Sequence, residues 1–285
     1  MSIRFTKIQG AANDFIVINN IEEKIDHEKL PELARRICRR RFSIGADGLI
    51  VVEKPQNNGD FRMILYNSDG SEAEMCGNGV RSICCYGYEK GLSGEEQLIE
   101  TAAGPVRGKR VSPRLYKIRL NDVTRMELDK DVDIDGKTYK VSYVELGSPG
   151  VPHGVTEYRG LADADRTSLK ELARKLRYSD VFYKGINVNF YEITGESKVN
   201  ELTYERGVED FTYACGTGSG STAAVLTTKK LLDGRNIEIN VPGGKLYIDV
   251  EMDEEKVKNL YLTGPVKVVC EGTIGDDFTD KVEIW

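Results

Sequence analysis

Apolar residues recur with two periods along this chain, and each pattern is met twice. Leu30, Leu33, Ala34, Ile37 and Cys38 follow the i, i+3, i+4, i+7, i+8 spacing of one helix face, with Asp26 as a candidate cap. Leu169, Leu172, Ala173 and Leu176 repeat that stripe. Around the first stripe, residues 49–52 and 61–66 are short apolar or alternating runs of strand type; around the second, residues 186–191 and 202–204 play that part. Each half then reaches a Cys-Gly-x-Gly sequence followed by small and apolar residues, 80–88 and 219–232, which suit a buried helix inside a wrapped sheet. The class expected is α+β or α/β, rich in strands.

The two halves align without gaps at an offset of 139 residues. Leu30-Pro31-Glu32-Leu33-Ala34-Arg35-Arg36-Ile37 falls on Leu169-Lys170-Glu171-Leu172-Ala173-Arg174-Lys175-Leu176. Met75-Cys76-Gly77-Asn78-Gly79 falls on Ala214-Cys215-Gly216-Thr217-Gly218, and Ala103-Gly104 on Pro242-Gly243. A period this long is a duplicated domain, not a solenoid. The second copy is expected to start near Tyr139, with the halves joined through the polar stretch 112–138.

Composition narrows the class. The 285 residues allow two ordinary domains, and 40% hydrophobic with 30% charged residues fits a globular fold. No apolar run nears the ~20 residues of a membrane span. The opening MSIRFTKIQG lacks an apolar signal core, so a cytoplasmic location is expected, with no membrane partner. A net charge of −6 argues against nucleic acid. The basic run Arg35-Arg36 with Arg39-Arg40-Arg41 reads as a solvated helix face or substrate-steering charge. Six cysteines without C-x₂-C pairing, and only two histidines, give neither a disulfide scaffold nor a His-rich metal centre. No metal and no cofactor are expected.

One cysteine ahead of a glycine-rich helix start reads as a small buried hydrophobe beside a tight turn. Two at equivalent places in a duplicated fold are expected on opposite walls of one cleft. A helix N-terminus lowers a thiol's pKa and offers backbone N–H groups to a carboxylate. One thiolate would remove an α-proton while the opposite thiol supplies a proton to the other face, and configuration inverts. The competing use of Gly216-Thr217-Gly218-Ser219-Gly220 as a phosphate cradle lacks the Lys-Ser/Thr ending of a P-loop and the G-x-G-x-x-G spacing. Cys38, Cys84, Cys85 and Cys270 read as structural.

The sequence resembles the diaminopimelate epimerase family over essentially its whole length. The resemblance is carried by Asn13-Asp14-Phe15, Asn67-Ser68-Asp69-Gly70-Ser71, Glu74-Met75-Cys76-Gly77-Asn78-Gly79-Val80-Arg81, Pro152-His153 and Asn187-Val188-Asn189-Phe190. Glu205-Arg206-Gly207, Ala214-Cys215-Gly216-Thr217-Gly218 and Pro242-Gly243-Gly244 complete it. It implies two pseudo-symmetric domains, each a barrel-like sheet around a central helix, with the C-terminal strand returning to the first: 1–118 plus about 272–285, and 119–271. It also implies interconversion of LL- and meso-diaminopimelate without pyridoxal phosphate, a small-molecule amino-acid substrate, and a homodimer. By position, Cys76 and Cys215 match the base–acid pair, and Gly77, Asn78, Gly216 and Thr217 the groups that hold the reacting carboxylate and amine. Asn13, Asn67, Asn187 and Arg206 match the remaining substrate contacts, and His153 and Glu205 residues that tune the thiols. Turn chemistry is the alternative for Asn13 and Asn67, since each lies close before an aspartate.

Three departures bear on the substrate. Val151 stands where the family has asparagine, Phe211 where an acidic residue is usual, and Ala12 where glycine is usual. The alternatives are therefore a racemase of another α-amino acid such as histidine on the same scaffold, and a non-catalytic amino-acid binding protein. Oxidation of facing thiols to a disulfide would be a side effect of the layout.

Overall fold

The computed structural model describes residues 2–73 and 76–275. The chain divides into two compact units, Met1–Ile118 with Gly264–Trp285, and Arg119–Thr263. Among the described residues no helix is long and apolar enough to cross a membrane.

The first unit opens on a hairpin, Ile3–Gly10 against Asn13–Asn19, closed by Ala11 and Ala12 at φ +54° and +63°. The helix Leu30–Ile37 follows and buries Leu30, Leu33, Ala34 and Ile37 against Ile16, Ile18, Leu49 and Val51, as its stripe predicts. The expected cap is displaced by one turn: Asp26 accepts from the Glu28 N–H and closes the 3₁₀ turn His27–Lys29 that leads in. Pro31 fills the first turn of the helix proper, where its missing N–H costs nothing. The helix is the crossover that lets Gly48–Glu53 lie parallel to Asn13–Asn19. Phe61–Asn67 then pairs antiparallel with Gly48–Glu53. A second, fully wrapped helix, Gly77–Glu89, carries the chain to Glu96–Thr101, parallel to Phe61–Asn67, and on to Gly104–Ser112 and Leu115–Arg119. From the far end of the chain, Lys267–Ile274 pairs antiparallel with Ile3–Gly10.

The second unit repeats this order: the hairpin Lys137–Leu146 with Val151–Glu157, the outer helix Arg166–Arg177 capped by Asp165, then Asn187–Gly195 parallel to Val151–Glu157. Lys198–Glu205, the inner helix Gly216–Thr228, Ile237–Val241, Gly244–Asp253 and Lys256–Pro265 complete it. The two inner helices are each 13 residues long and start 139 residues apart in sequence. Both carry small and apolar residues on every side, and each is touched by four strands of its own unit, so neither has a solvent face.

Two expectations change. The polar stretch 112–138 is no linker: Val123–Ile134 is a strand paired with Lys137–Leu146, where Lys267–Ile274 stands in the first unit. It reads as linker because charged and polar residues dominate it, and within the strand Val123–Ile134 only Val132 is fully buried. Cys270 is exposed on Lys267–Ile274 and packs in no core. Cys38, Cys84 and Cys85 are buried as expected.

Candidate active site

Each inner helix begins at a cysteine. Cys76 is the N-cap of Gly77–Glu89, with extended backbone (φ −138°, ψ 119°), and Cys215 is the N-cap of Gly216–Thr228 (φ −117°, ψ 105°). Their carbonyls accept the first intrahelical bonds, from Val80 N–H at 2.8 Å and Ser219 N–H at 2.9 Å. The N–H groups of the first turn, from Gly77 and Asn78 and from Gly216 and Thr217, have no carbonyl within their own helices. Both cysteines, taken as whole residues, are half-buried.

In the first unit, Asn13 Oδ1 lies 3.7 Å from Cys76 Sγ and accepts from Asn78 Nδ2 at 3.3 Å. The Asn13 amide is held in this sense because its nitrogen donates to Asp47 at 2.6 Å. Asp47 and Asp14 are in turn held by Arg40, so part of the basic run is an ion-pair scaffold behind Asn13. Arg35 and Arg36 pair with Glu32. Arg81, fully buried one turn into the helix, donates to Asn78 Oδ1 at 2.8 Å, while its Nε and Nη1 find no partner among the described residues. Burial lowers its pKa to about 10, and negative charge on Cys76 acts against that, so Arg81 remains a cation that favours a Cys76 thiolate. Asn67 is exposed, and its amide bonds Ser71 within its own turn at 3.0 Å, the turn chemistry named above. That turn depends on Gly70 at φ +83°, where a Cβ would lie 2.5 Å from the Pro31 carbonyl.

In the second unit, Thr217 Oγ1 stands 3.5 Å from Cys215 Sγ and 3.1 Å from His153 Nε2. Asn189 Nδ2 meets His153 Nδ1 at 3.1 Å. Burial, with Arg206 adding to it, lowers the His153 pKa to about 3, so the imidazole is neutral. Glu205, raised by its own burial, bonds Thr212 and accepts the Cys215 thiol. A helix N-terminus by itself predicts a depressed Cys215 pKa. The pKa is instead pushed well up, first by burial and then by Glu205, against smaller pulls downward from Thr217 and the Gly218 N–H. Cys215 therefore rests as the thiol, with a carboxylate in place to take its proton. Asn187 is locked by two bonds, donating to the Pro152 carbonyl at 3.1 Å and accepting from Arg206 N–H at 2.8 Å. Arg206 is exposed; its Nη1 reaches the Lys184 carbonyl at 3.2 Å, and among the described residues it forms no ion pair.

The structure thus gathers Asn13, Cys76, Gly77 and Asn78 in one cluster and His153, Asn187, Glu205, Arg206, Cys215, Gly216 and Thr217 in another. Phe211 turns its ring to Tyr204 and Phe190, with centroids 5.8 and 6.5 Å apart, and so belongs to an aromatic cluster of its unit's core. Val151 opens its strand opposite Leu146 and is 37% exposed. Residue-by-residue reading gave no part to Arg81, Asp47, Asn189 or Glu201. Asn189 had a signal, because it shares a strand face with Asn187 in an otherwise apolar run. Glu201 is buried and accepts from Ser219 and Thr222 of the inner helix. Among the described residues there is no cluster of three or more metal-ligating side chains.

Known proteins match this architecture closely. The family model described as diaminopimelate epimerase matches residues 5–111 and 148–269. A diaminopimelate epimerase of Caldanaerobacter subterraneus subsp. tengcongensis is 37% identical over 95% of this chain and 99% of that protein. Those of Aquifex aeolicus and Archaeoglobus fulgidus are 34% and 36% identical over 96% of this chain and 99% and 97% of their own lengths. Among solved structures, a PhzF-family phenazine biosynthesis protein from Bacillus anthracis superposes with TM-score 0.73 at 14% identity, over 96% of this chain and 99% of that one. A hydroxyproline epimerase from Agrobacterium vitis superposes at 0.68 and 14%, over 96% and 92%. The structures share the fold, and the sequence relatives fix the group: this chain belongs to the diaminopimelate epimerase family.

Proposed function

We propose that this protein interconverts LL- and meso-2,6-diaminopimelate by passing the α-proton between Cys76 and Cys215, without pyridoxal phosphate. The observation that carries the reading is the repeated placement of a cysteine at the N-cap of a buried helix, in a chain of this family. Inversion requires one sulfur to take the proton from one face of the α-carbon and the other to return a proton to the opposite face. The paired N–H groups of Gly77 and Asn78, and of Gly216 and Thr217, suit the substrate carboxylate and the negative charge it gains as the carbanion forms. Arg81 favours the Cys76 thiolate, and Glu205 takes the proton when Cys215 must act as base. The exposed Arg206 fork suits the distal carboxylate, with Asn187 fixing its backbone and Asn13 and Asn67 as polar contacts. Each unit supplies one member of the acid–base pair. A cytoplasmic location and a homodimeric state belong to the same reading.

The test is α-hydrogen exchange in D₂O followed by NMR, with reductant present, for both diaminopimelate isomers and a panel of L-amino acids including histidine. Exchange with inversion is expected for diaminopimelate alone. Cys76→Ala and Cys215→Ala should each lose at least the ~10²–10⁴-fold that a general acid or base supplies. Full activity in either variant would sink the two-thiol mechanism, and exchange on another amino acid would reassign the substrate.

A further inference from the structure

Behind Cys215 runs a chain of buried side chains whose hydrogen-bond polarity can be read from end to end. Thr203 Oγ1 donates to Asn189 Oδ1 at 2.9 Å. The Asn189 amide nitrogen faces the Gly154 carbonyl at 3.3 Å and His153 Nδ1 at 3.1 Å. A flipped amide would set oxygen against the Gly154 carbonyl, so the orientation is fixed by an acceptor that cannot donate. An amide nitrogen only donates; His153 Nδ1 is therefore an acceptor, and the neutral ring carries its proton on Nε2. That proton points to Thr217 Oγ1, 3.1 Å away, which is itself 3.5 Å from Cys215 Sγ. Asn189, His153 and Thr203 are all buried, and the chain is fitted against the helix backbone: a Cβ on Gly218 would lie 2.3 Å from Asn189 Oδ1 and 3.1 Å from Thr203 Oγ1.

We propose that Asn189 is a positioning residue that locks His153 as an Nε2–H donor to Thr217, so that the Thr217 hydroxyl keeps its own proton for the Cys215 sulfur. The inference rests on Cys215 being an acid–base group of the reaction. With Cys215 as thiolate, Thr217 O–H donates to sulfur. With Cys215 as thiol, its S–H is given to Glu205, and the Thr217 O–H still faces the sulfur lone pairs. The imidazole proton stays on Nε2 throughout, so His153 tunes the thiol without being charged. The charged groups around the chain are Arg206, which opposes protonation of His153, and Glu205 and Glu201, which disfavour the Cys215 thiolate. The Thr217 donor works against those two carboxylates. The first unit has no such relay, since Asp14 occupies the repeat position of His153 and Asn78 that of Thr217.

Two measurements decide this without substrate, so their failure is separable from failure of the epimerase reading, which the D₂O exchange addresses. The chain has only two histidines, and His27→Gln assigns the ¹⁵N ring signals. His153 should show bare Nδ1 and protonated Nε2, with no titration across neutral pH; a protonated Nδ1 would overturn the proposal. In Asn189→Asp a carboxylate oxygen replaces the donor, which draws the ring proton to Nδ1 and the Thr217 proton toward Nε2. Peptide-resolved alkylation of Cys215 at neutral pH should then slow about tenfold, the effect of a one-unit rise in thiol pKa, with Cys76 unaffected. Thr217→Val should slow it equally, and the double variant no further. Wild-type alkylation in Asn189→Asp, or additive losses in the double variant, would refute the relay. Should Asn189→Asp not fold, the wild-type ring signals decide alone.

Discussion

Ala11 and Ala12 sit in the left-handed region at φ +54° and +63°, between strands whose ends pair Gly10 with Asn13. A two-residue hairpin turn of this hand matches the twist of its strands but favours Asn or Gly, because a Cβ costs about 1–2 kcal/mol there. The strain is borne next to Asn13, whose amide must face Cys76, so a tight turn at this place has a use. Ala12→Gly should relieve it and raise stability by about 1 kcal/mol, net of the entropy glycine adds to the unfolded chain. Urea unfolding would read the gain as a higher midpoint at unchanged slope. An unchanged or lower midpoint would mean the turn carries no strain. At the same residue scale, Phe211, conspicuous in the sequence, has its ring in contact with Tyr204 and Phe190 of its own unit.

At the scale of elements, the inner helix of the second unit is clipped to its sheet by a titrating pair with opposite signs. Glu201 accepts from Ser219 and Thr222, and burial raises its pKa to about 7 from 4.5. Between those values the folded state holds a proton the unfolded chain has released. Its contribution is thus whole below 4.5 and declines as pH rises to 7, by roughly 3 kcal/mol for a shift of this size. His153 runs the other way: folded it stays neutral down to about 3, unfolded it protonates near 6.5, so its contribution is whole above 6.5 and is lost as pH falls. In wild type the two slopes largely cancel between 4.5 and 6.5. Glu201→Gln should remove the falling one, leaving a protein whose urea midpoint climbs more steeply from acid to neutral pH. Parallel pH profiles for variant and wild type would show that Glu201 is not protonated in the fold. Much of this element was legible in advance. The repeat, the outer helices and both N-cap cysteines follow from periodicity and the 139-residue offset, which act on local sequence. Glu201 and Arg81 were not, because a buried charge has the same letter as a solvated one and is distinguished only by what packs around it. The depressed Cys215 pKa expected from its helix end failed for the same reason, since desolvation and Glu205 are properties of the packed unit.

At the scale of the whole chain, the two units are alike in architecture and unlike in connectivity. The second is one continuous stretch, Arg119–Thr263, whereas the first is interrupted by all of it and regains Lys267–Ile274 from the far end. In that pairing Ile3 meets Ile274 and Gln9 meets Lys267, contacts spanning nearly the entire sequence. The equivalent pairing in the second unit, Val123–Ile134 with Lys137–Leu146, closes through a short hairpin. Loop closure must be completed before non-local pairing is rewarded, so the two equivalent strand pairs should form at different times. The second unit's outer pair is expected first, and Ile3–Gly10 with Lys267–Ile274 last. Pulse-labelled hydrogen exchange during refolding from urea would resolve it: amides of 137–146 that bond Val123–Ile134 should gain protection before those of 3–10 that bond Lys267–Ile274. A chain ending at residue 263 should keep protection in 137–146 and lose it at the amides of 3–10 that bond Lys267–Ile274, because that edge is left unpaired while the hairpin with Asn13–Asn19 remains. Simultaneous protection of both pairs in the full chain would mean that the units fold as a single cooperative body, with the repeat leaving no kinetic trace.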